Sequence, residues 1–185
     1  MNCLKRFLFR IYTFISHPST LFYYRNFKGS ILYPGVVLKG SSKIVLKNTT
    51  VARGCSIKAF GQKKPSIVIT DSYIADRAYI SSKGHKSIII NKTSFAPNIF
   101  IGSYKHSLTK EECDSNYNIV IDSPTFIGQN VSIFGNITIG KGSVIGACSV
   151  VNKNIEPNSM YVGNPAKKIK IYDEKTDKWY PVSAK

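Results

Sequence analysis

Six aliphatic side chains recur at intervals of six residues: Ile121, Ile127, Ile133, Ile139, Ile145 and Val151. Glycine follows three of them, at Gly128, Gly140 and Gly146. Six is neither the period of a helix nor the simple alternation of a lone strand. It is the period of a chain that makes one short strand, turns a corner and repeats, and such repeats build parallel β-helices.

The same phase runs upstream in sets of three: Val45, Val51, Ile57; then Val68, Ile74, Ile80; then Ile89, Phe95, Ile101. Each set reads as one coil of a triangular prism. Its three aliphatic side chains point inward and stack on their equivalents in the next coil, forming a quasi-one-dimensional core. Four residues after these positions stand Thr49, Cys55, Ser72, Ala78, Thr93, Ser143 and Ser149, small enough for a narrow interior. Val131, Ile137 and Ile155 are larger. Extra residues intrude after Ile57, Ile80 and Ile101, always after the third member of a set, so the insertions are expected to emerge at one corner. The longest, 103–118, contains His106, Glu111, Glu112 and Asp114. Insertions in repeat proteins collect on the binding face.

A chain of 185 residues is expected to form one domain. The reading divides it into an N-terminal segment 1–28, a β-helix 29–170 and a tail 171–185. In the first segment, Leu4, Phe7, Leu8, Ile11, Tyr12, Phe14 and Ile15 recur at helical spacing beside Lys5, Arg6 and Arg10. That pattern describes a short amphipathic helix, which could rest on an anionic membrane or cap the open end of the prism. Its apolar run is too short to span a bilayer, and no cleavage site marks a signal peptide. The four cysteines show no paired spacing and read as reduced thiols of a cytosolic protein. No cluster suggests a metal site. The net charge of +16 calls for a polyanionic partner or a solvated basic surface. Nothing resembles a nucleic-acid-binding fold, so nucleic acid is excluded as the partner.

The stretch VIDSPTFIGQNVSIFGNITIGKGSVIGACSVVNKNIEPNSMYVGNPAKKIK, Val120 to Lys170, resembles the hallmark segment of the hexapeptide-repeat acyltransferases. Within that superfamily it resembles the coenzyme A-dependent sugar O-acetyltransferases of surface polysaccharide synthesis. The resemblance implies an all-β fold, a left-handed parallel β-helix of about five coils, which breaks the usual right-handed crossover rule. It implies a homotrimer with active sites between subunits, acetyl-coenzyme A as acyl donor, no metal, and a saccharide acceptor. It implies that His106, in FAPNIFIGSYKHS, is the general base, because a sugar hydroxyl needs a proton acceptor and imidazole titrates near neutrality. It places Gly128, Gln129, Gly146 and Ala147 along the pantetheine arm, and Asn164, Pro165, Ala166, Lys167 and Lys168 near the adenine and phosphates. His85, Asn98 and Tyr104 are weaker candidates for acceptor contact.

Several positions depart from the family pattern. Phe126 stands where tryptophan is common, Phe134-Gly135-Asn136 where leucine-proline-glycine is common, and Ser107 follows the candidate histidine. These departures bear on acceptor choice more than on acyl transfer. The expected activity is acetyl transfer to a saccharide hydroxyl at the cytoplasmic face of the membrane. The alternatives are a non-catalytic β-helix that scaffolds or binds glycan, or N-acetylation of an amino sugar. A zinc hydrase of the same fold needs three histidines at one site, and the spacing of His17, His85 and His106 does not supply them.

Overall fold

The chain winds around three flat faces, one short strand per face. The computed structural model describes residues 27–60, 65–84, 86–103 and 117–182. The first coil contains β1 (Ile31–Leu32), β2 (Val37–Lys39) and β3 (Ile44–Lys47), and the second β4 (Thr50–Val51), β5 (Ser56–Ala59) and β6 (Ile67–Thr70). The third contains β7 (Tyr73–Ile74), β8 (Tyr79–Ser82) and β9 (Ile88–Asn91), and the fourth β10 (Thr93–Phe95), β11 (Phe100–Gly102) and β12 (Ile119–Ile121). The fifth contains β13 (Thr125–Ile127), β14 (Ser132–Phe134) and β15 (Ile137–Ile139). A sixth turn contains β16 (Val144–Ile145) and β17 (Val150–Val151) and closes with a single bridge from Ile155 to Ile139. The parallel coils build three sheets. Face A begins at β1, face B at β2 and face C at β3.

Inward side chains stack in unbroken columns. On face B the column is Ile57, Ile80, Ile101, Ile133 and Val151. On face A it is Val51, Ile74, Phe95, Ile127 and Ile145. All of these are buried. β-Branched side chains suit the repeat because their stiff χ1 and pleated packing favour strands. The small positions Thr49, Cys55, Ser72, Ala78, Thr93, Ser143 and Ser149 are buried as well.

Face C departs from the expected phase. Val45, Val68 and Ile89, read as inward from the six-residue period, point outward, and Ile89 is 43 % exposed. Their neighbours point in: Ile44 and Leu46, Ile67 and Ile69, Ile88 and Ile90 are all buried. The cause is a corner shortened by one residue. From Leu46 to Val51, Ile69 to Ile74 and Ile90 to Phe95 the step is five residues, whereas from Ile121 to Ile127 it is six. Each short corner contains a residue with left-handed backbone: Asn48 at φ 47°, Asp71 at φ 50° and Lys92 at φ 40°. A slip of one residue exchanges the two faces of a strand.

The corner between faces A and B also has a left-handed residue in every coil. Gly35, Gly54, Arg77, Asn98, Asn130 and Cys148 have φ between 58° and 79°. Glycine and asparagine tolerate this region best. Hydrogen bonds link the column: Arg77 Nε donates to Asn98 Oδ1 at 2.7 Å, and Asn98 Nδ2 donates to Asn130 Oδ1 at 3.1 Å.

Parallel winding ends with β18 (Ser159–Val162), which pairs with β16. The chain then reverses into β19 (Lys167–Asp173) and β20 (Lys178–Pro181), both antiparallel. Tyr172 packs against Trp179 across this hairpin, with ring centroids 5.2 Å apart. Residue 171, the expected start of a separate tail, lies inside β19, so closing motif and tail form one element. The expected N-terminal helix lies outside the described residues. Among the described residues, no helix is long and apolar enough to cross a membrane.

The shifted phase has a direct test. Ile90→Ala should cost about 2–5 kcal/mol, as a buried large-to-small change does. Ile89→Ala should stay within about 0.5 kcal/mol. Chemical denaturation of both variants measures the difference, and equal costs would contradict the assigned faces.

Candidate active site

All three insertions leave the end of a face-B strand and re-enter at face C, so they share one corner. At the root of that corner, serine hydroxyls replace the aliphatic ladder. Ser66, Ser82 and Ser103 are each 0 % exposed. The Ser82 hydroxyl donates to Ser66 Oγ at 3.1 Å, and the Lys83 amide donates to Ser103 Oγ at 3.2 Å. The Ser103 amide donates to the Ser81 carbonyl at 3.1 Å. On the returning side, Asn118 Oδ1 accepts from the Ser87 amide at 3.0 Å, and the Asn118 amide donates to Asn136 Oδ1 at 3.0 Å. Buried polar groups require such partners, and here they fix both ends of the longest insertion. His106, His85 and Tyr104 lie outside the described residues.

The outer surface beside this root has its own pattern. The register aligns Ser56, Tyr79, Phe100 and Ser132 in one outward column, and Lys58, Ser81, Gly102 and Phe134 in the next. The Tyr79 and Phe100 rings are parallel within 1°, with centroids 5.6 Å apart. Lys58 Nζ lies 4.7 Å from the Tyr79 ring centre. The sequence reading singled out none of these residues. The available signal was their outward position on the strands that feed the insertions.

The other candidates lie along the A–B corner and the end of the prism. Asn98 has its side chain committed to the corner ladder through both polar atoms. The amides of Gly128 and Gly146 donate to the carbonyls of Ile145 and Tyr161 at 2.8 Å each. A Cβ at Gly128 would lie 2.7 Å from the Ala147 amide nitrogen, and one at Gly146 would lie 2.5 Å from Val162 Cγ1. Both glycines therefore allow the next coil to approach closely, a need of the fold that stands beside any ligand role. Gln129 and Ala147 are exposed. Gly163, at φ 98°, and the cis Asn164–Pro165 bond turn the chain into β19. Asn164 and Pro165 are exposed, whereas Ala166 packs on the core.

Of the two lysines in the closing motif, Lys168 pairs with Glu156 Oε2 at 2.7 Å. That hydrogen bond holds the ammonium pKa above its ordinary value. Lys167 is exposed. Burial pushes the Cys55 thiol up, and its Sγ donates to the Ala75 carbonyl at 3.1 Å, whereas Cys148 is an exposed free thiol. Among the described residues, no group of three or more histidine, cysteine or acidic side chains is placed to hold a metal.

No family profile matches the chain. A protein of Escherichia coli (strain K12), provisionally named lipopolysaccharide biosynthesis O-acetyl transferase WbbJ, is 29 % identical over 174 residues, covering 86 % of this chain and 87 % of its own. This likeness to a named acetyltransferase and the stacked parallel coils are together consistent with the hexapeptide-repeat acyltransferase superfamily. The chain is an all-β solenoid of stacked parallel coils, as the repeat implies. Two solved structures share the fold. AntD, an N-acyltransferase from Bacillus cereus in complex with dTDP and coenzyme A, superposes with a TM-score of 0.67 at 18 % identity, covering 86 % of this chain and 92 % of its own. A maltose O-acetyltransferase from Clostridium difficile 630 gives 0.54 at 24 % identity, covering 81 % and 73 %.

The coil contacts of the two glycines differ in kind. At Gly128 a new methyl meets three backbone atoms of the next coil within 3.0 Å; at Gly146 only one atom lies that near, a valine methyl. Gly128→Ala should lower stability by about 1–3 kcal/mol, and Gly146→Ala should lower it less. Thermal melts of the two variants measure the order.

Proposed function

We propose that this hexapeptide-repeat protein is an acetyl-coenzyme A-dependent O-acetyltransferase acting on a saccharide of surface polysaccharide synthesis. The observation that carries this reading is the likeness to WbbJ along nearly the whole of both chains, on a fold that directs its longest insertion from the Ser103 root. Acetyl-coenzyme A is the donor, in keeping with the coenzyme A bound in AntD.

His106 is the general base in this reading. The acceptor hydroxyl oxygen attacks the thioester carbonyl while the imidazole takes its proton. The tetrahedral intermediate then collapses, the C–S bond breaks, and the proton passes to the coenzyme thiolate. His106 is three positions along the chain from Ser103, so it lies at most about 11 Å of extended chain from that root. Because the Gly128 and Gly146 amides are committed to the coil ladder, the oxyanion needs a donor other than these two. Gln129, Ala147, Asn164 and Lys167 offer exposed groups for the coenzyme, with Lys167 free to meet a phosphate as a point charge. Lys168 already has Glu156 as an anionic partner, so its charge is partly neutralised.

The protein is further proposed to assemble as a homotrimer with sites between subunits, on the cytoplasmic side. In this reading segment 1–28 rests on the inner leaflet or caps the prism. N-acylation of an amino sugar is the second reading, favoured by the fold likeness to AntD. An acceptor pair differing only in amine against hydroxyl separates the two.

Calorimetric titration with acetyl-coenzyme A at physiological salt should give saturable binding that ATP does not reproduce. Salt matters because a chain of net charge +16 attracts any polyanion at low ionic strength. His106→Ala should retain that binding and lose about 10²–10⁴-fold in turnover, followed by release of free thiol. Full turnover in His106→Ala would remove the histidine from the mechanism. Absence of specific binding would remove the coenzyme.

A further inference from the structure

We propose that the outer surface of face B is an acceptor subsite for a phosphorylated saccharide, with the sugar ring on Phe100 and Phe134 and the phosphate on Lys39 and Lys58. The inference rests on the acyltransferase reading above and specifies its acceptor.

The two ends of the aromatic stack on face B differ in what adjoins them. Tyr79 already has two partners from the flanking strands, the Lys58 ammonium and the stacked Phe100 ring. The next rung beyond Phe100 is Ser132, whose side chain is too small to continue the stack. Phe134 stands on that same strand, 40 % exposed, opposite Gly102. Four neighbouring outward positions thus alternate as Phe100 and Phe134 on one diagonal, Gly102 and Ser132 on the other. Gly102 is buried and Ser132 is partly exposed, so the open space is over the serine. With strands about 4.8 Å apart and residues about 3.3 Å apart along them, the two phenylalanines stand about 8 Å from each other. A pyranose fits this setting: its C–H faces lie against aromatic rings and its hydroxyls reach a serine. Aromatic walls with a few polar groups are the usual lining of small-ligand sites.

Charge supplies the second half. Lys39 and Lys58 are direct neighbours on adjacent strands. Like charges placed side by side are unfavourable. The strands of face B contain no carboxylate to relieve them: their sequences are VLK, SIKA, YISS, FIG, SIF and VV. Lys58 lies two strands and two residues from Phe100, about 12 Å away between backbones, a span that its long side chain shortens. A neutral monosaccharide on the phenylalanines would bring neither lysine an anionic partner, whereas a sugar with a phosphate or diphosphate at its reducing end extends toward them. The loop that contains His106 departs one residue after Gly102, so the sugar end of the ligand lies nearest the proposed base.

The shared chemistry is a sugar joined to phosphate, and it has two sources: a nucleoside diphosphate sugar or a polyprenyl diphosphate sugar. Acetyl transfer should be followed by thiol release from acetyl-coenzyme A with four sets of common hexoses and N-acetylhexosamines. One set is free sugars, one 1-phosphates, one nucleoside diphosphate sugars, and one polyprenyl diphosphate sugars in detergent. A phosphorylated set is expected to be preferred, and which one identifies the source. In the double variant Lys39→Gln/Lys58→Gln the acceptor KM should rise about 10- to 100-fold, as loss of charge-assisted hydrogen bonds does, while the KM for acetyl-coenzyme A stays unchanged. Phe134→Ala, on a ring already exposed, should raise the acceptor KM and leave the melting temperature unchanged. Preference for the free sugars, an unchanged acceptor KM in the lysine variant, or no turnover with any set while acetyl-coenzyme A still binds would each overturn the subsite. Failure of acetyl-coenzyme A to bind at all would instead overturn the acyltransferase reading on which it rests.

Discussion

The rest of this structure depends on coil stacking directly on coil. Each inward aliphatic side chain packs against its counterparts one strand spacing above and below, and the backbone amides between them are spent on the same neighbour. A solenoid of this kind has no long-range core to fall back on. Its geometry tolerates little variation in side-chain volume or backbone bulk along the stacking direction. That explains why Gly128 faces the Ala147 backbone with no room for a methyl. It also explains why each corner between faces A and B turns through a left-handed residue in the same place. Corners have to superimpose if strands are to remain in register.

Much of this was legible in the sequence because the stacking constraint writes itself as a period. Columns on faces A and B, the buried small positions and the single corner for insertions all follow from counting. Face C in the first three coils was misread because the six-residue count was carried across corners that hold one residue fewer. Isoleucine-rich strands hid the error. In Ile88–Asn91 three consecutive isoleucines fit either phase, and only the backbone at Lys92 decides between them. In the first coil, Leu32 and Leu38 keep the six-residue step to Ile44 and pair with Val51 and Ile57, so they extend the columns of faces A and B by one coil that the count left out.

The candidate site was less legible, for a different reason. His106 is a candidate only through family resemblance and its place in the longest insertion, since a loop histidine has no periodic signature of its own. Asn98, taken as a weak acceptor contact, belongs by its left-handed φ and both side-chain hydrogen bonds to the corner ladder. Lys168 was read as a phosphate contact, but its partner Glu156 lies twelve positions away in sequence and becomes adjacent only when the chain reverses into β19. The Tyr79–Phe100 pair went unread because outward positions of a solenoid have no common requirement. Their meaning depends on which side chains the register brings together.

That asymmetry between inward and outward positions also limits where chemistry can arise. A central strand in a parallel sheet gives its N–H and C=O groups to neighbours on both sides. Its inward side chains are fixed by packing, and its corners by superposition. What remains free to vary is the outward side chain and the segment that leaves a corner. On face B these two freedoms coincide: the strands that contribute Lys39, Lys58, Tyr79, Phe100 and Phe134 to the surface belong to the same sheet that sends out all three insertions. On face C the corresponding outward column is Val45, Val68, Ile89, Val120 and Thr138, which has no charge and no aromatic ring. The two faces are built by the same winding and the same inward ladder. They differ in the residues that winding leaves unconstrained, and so a functional reading of this chain has to begin from them.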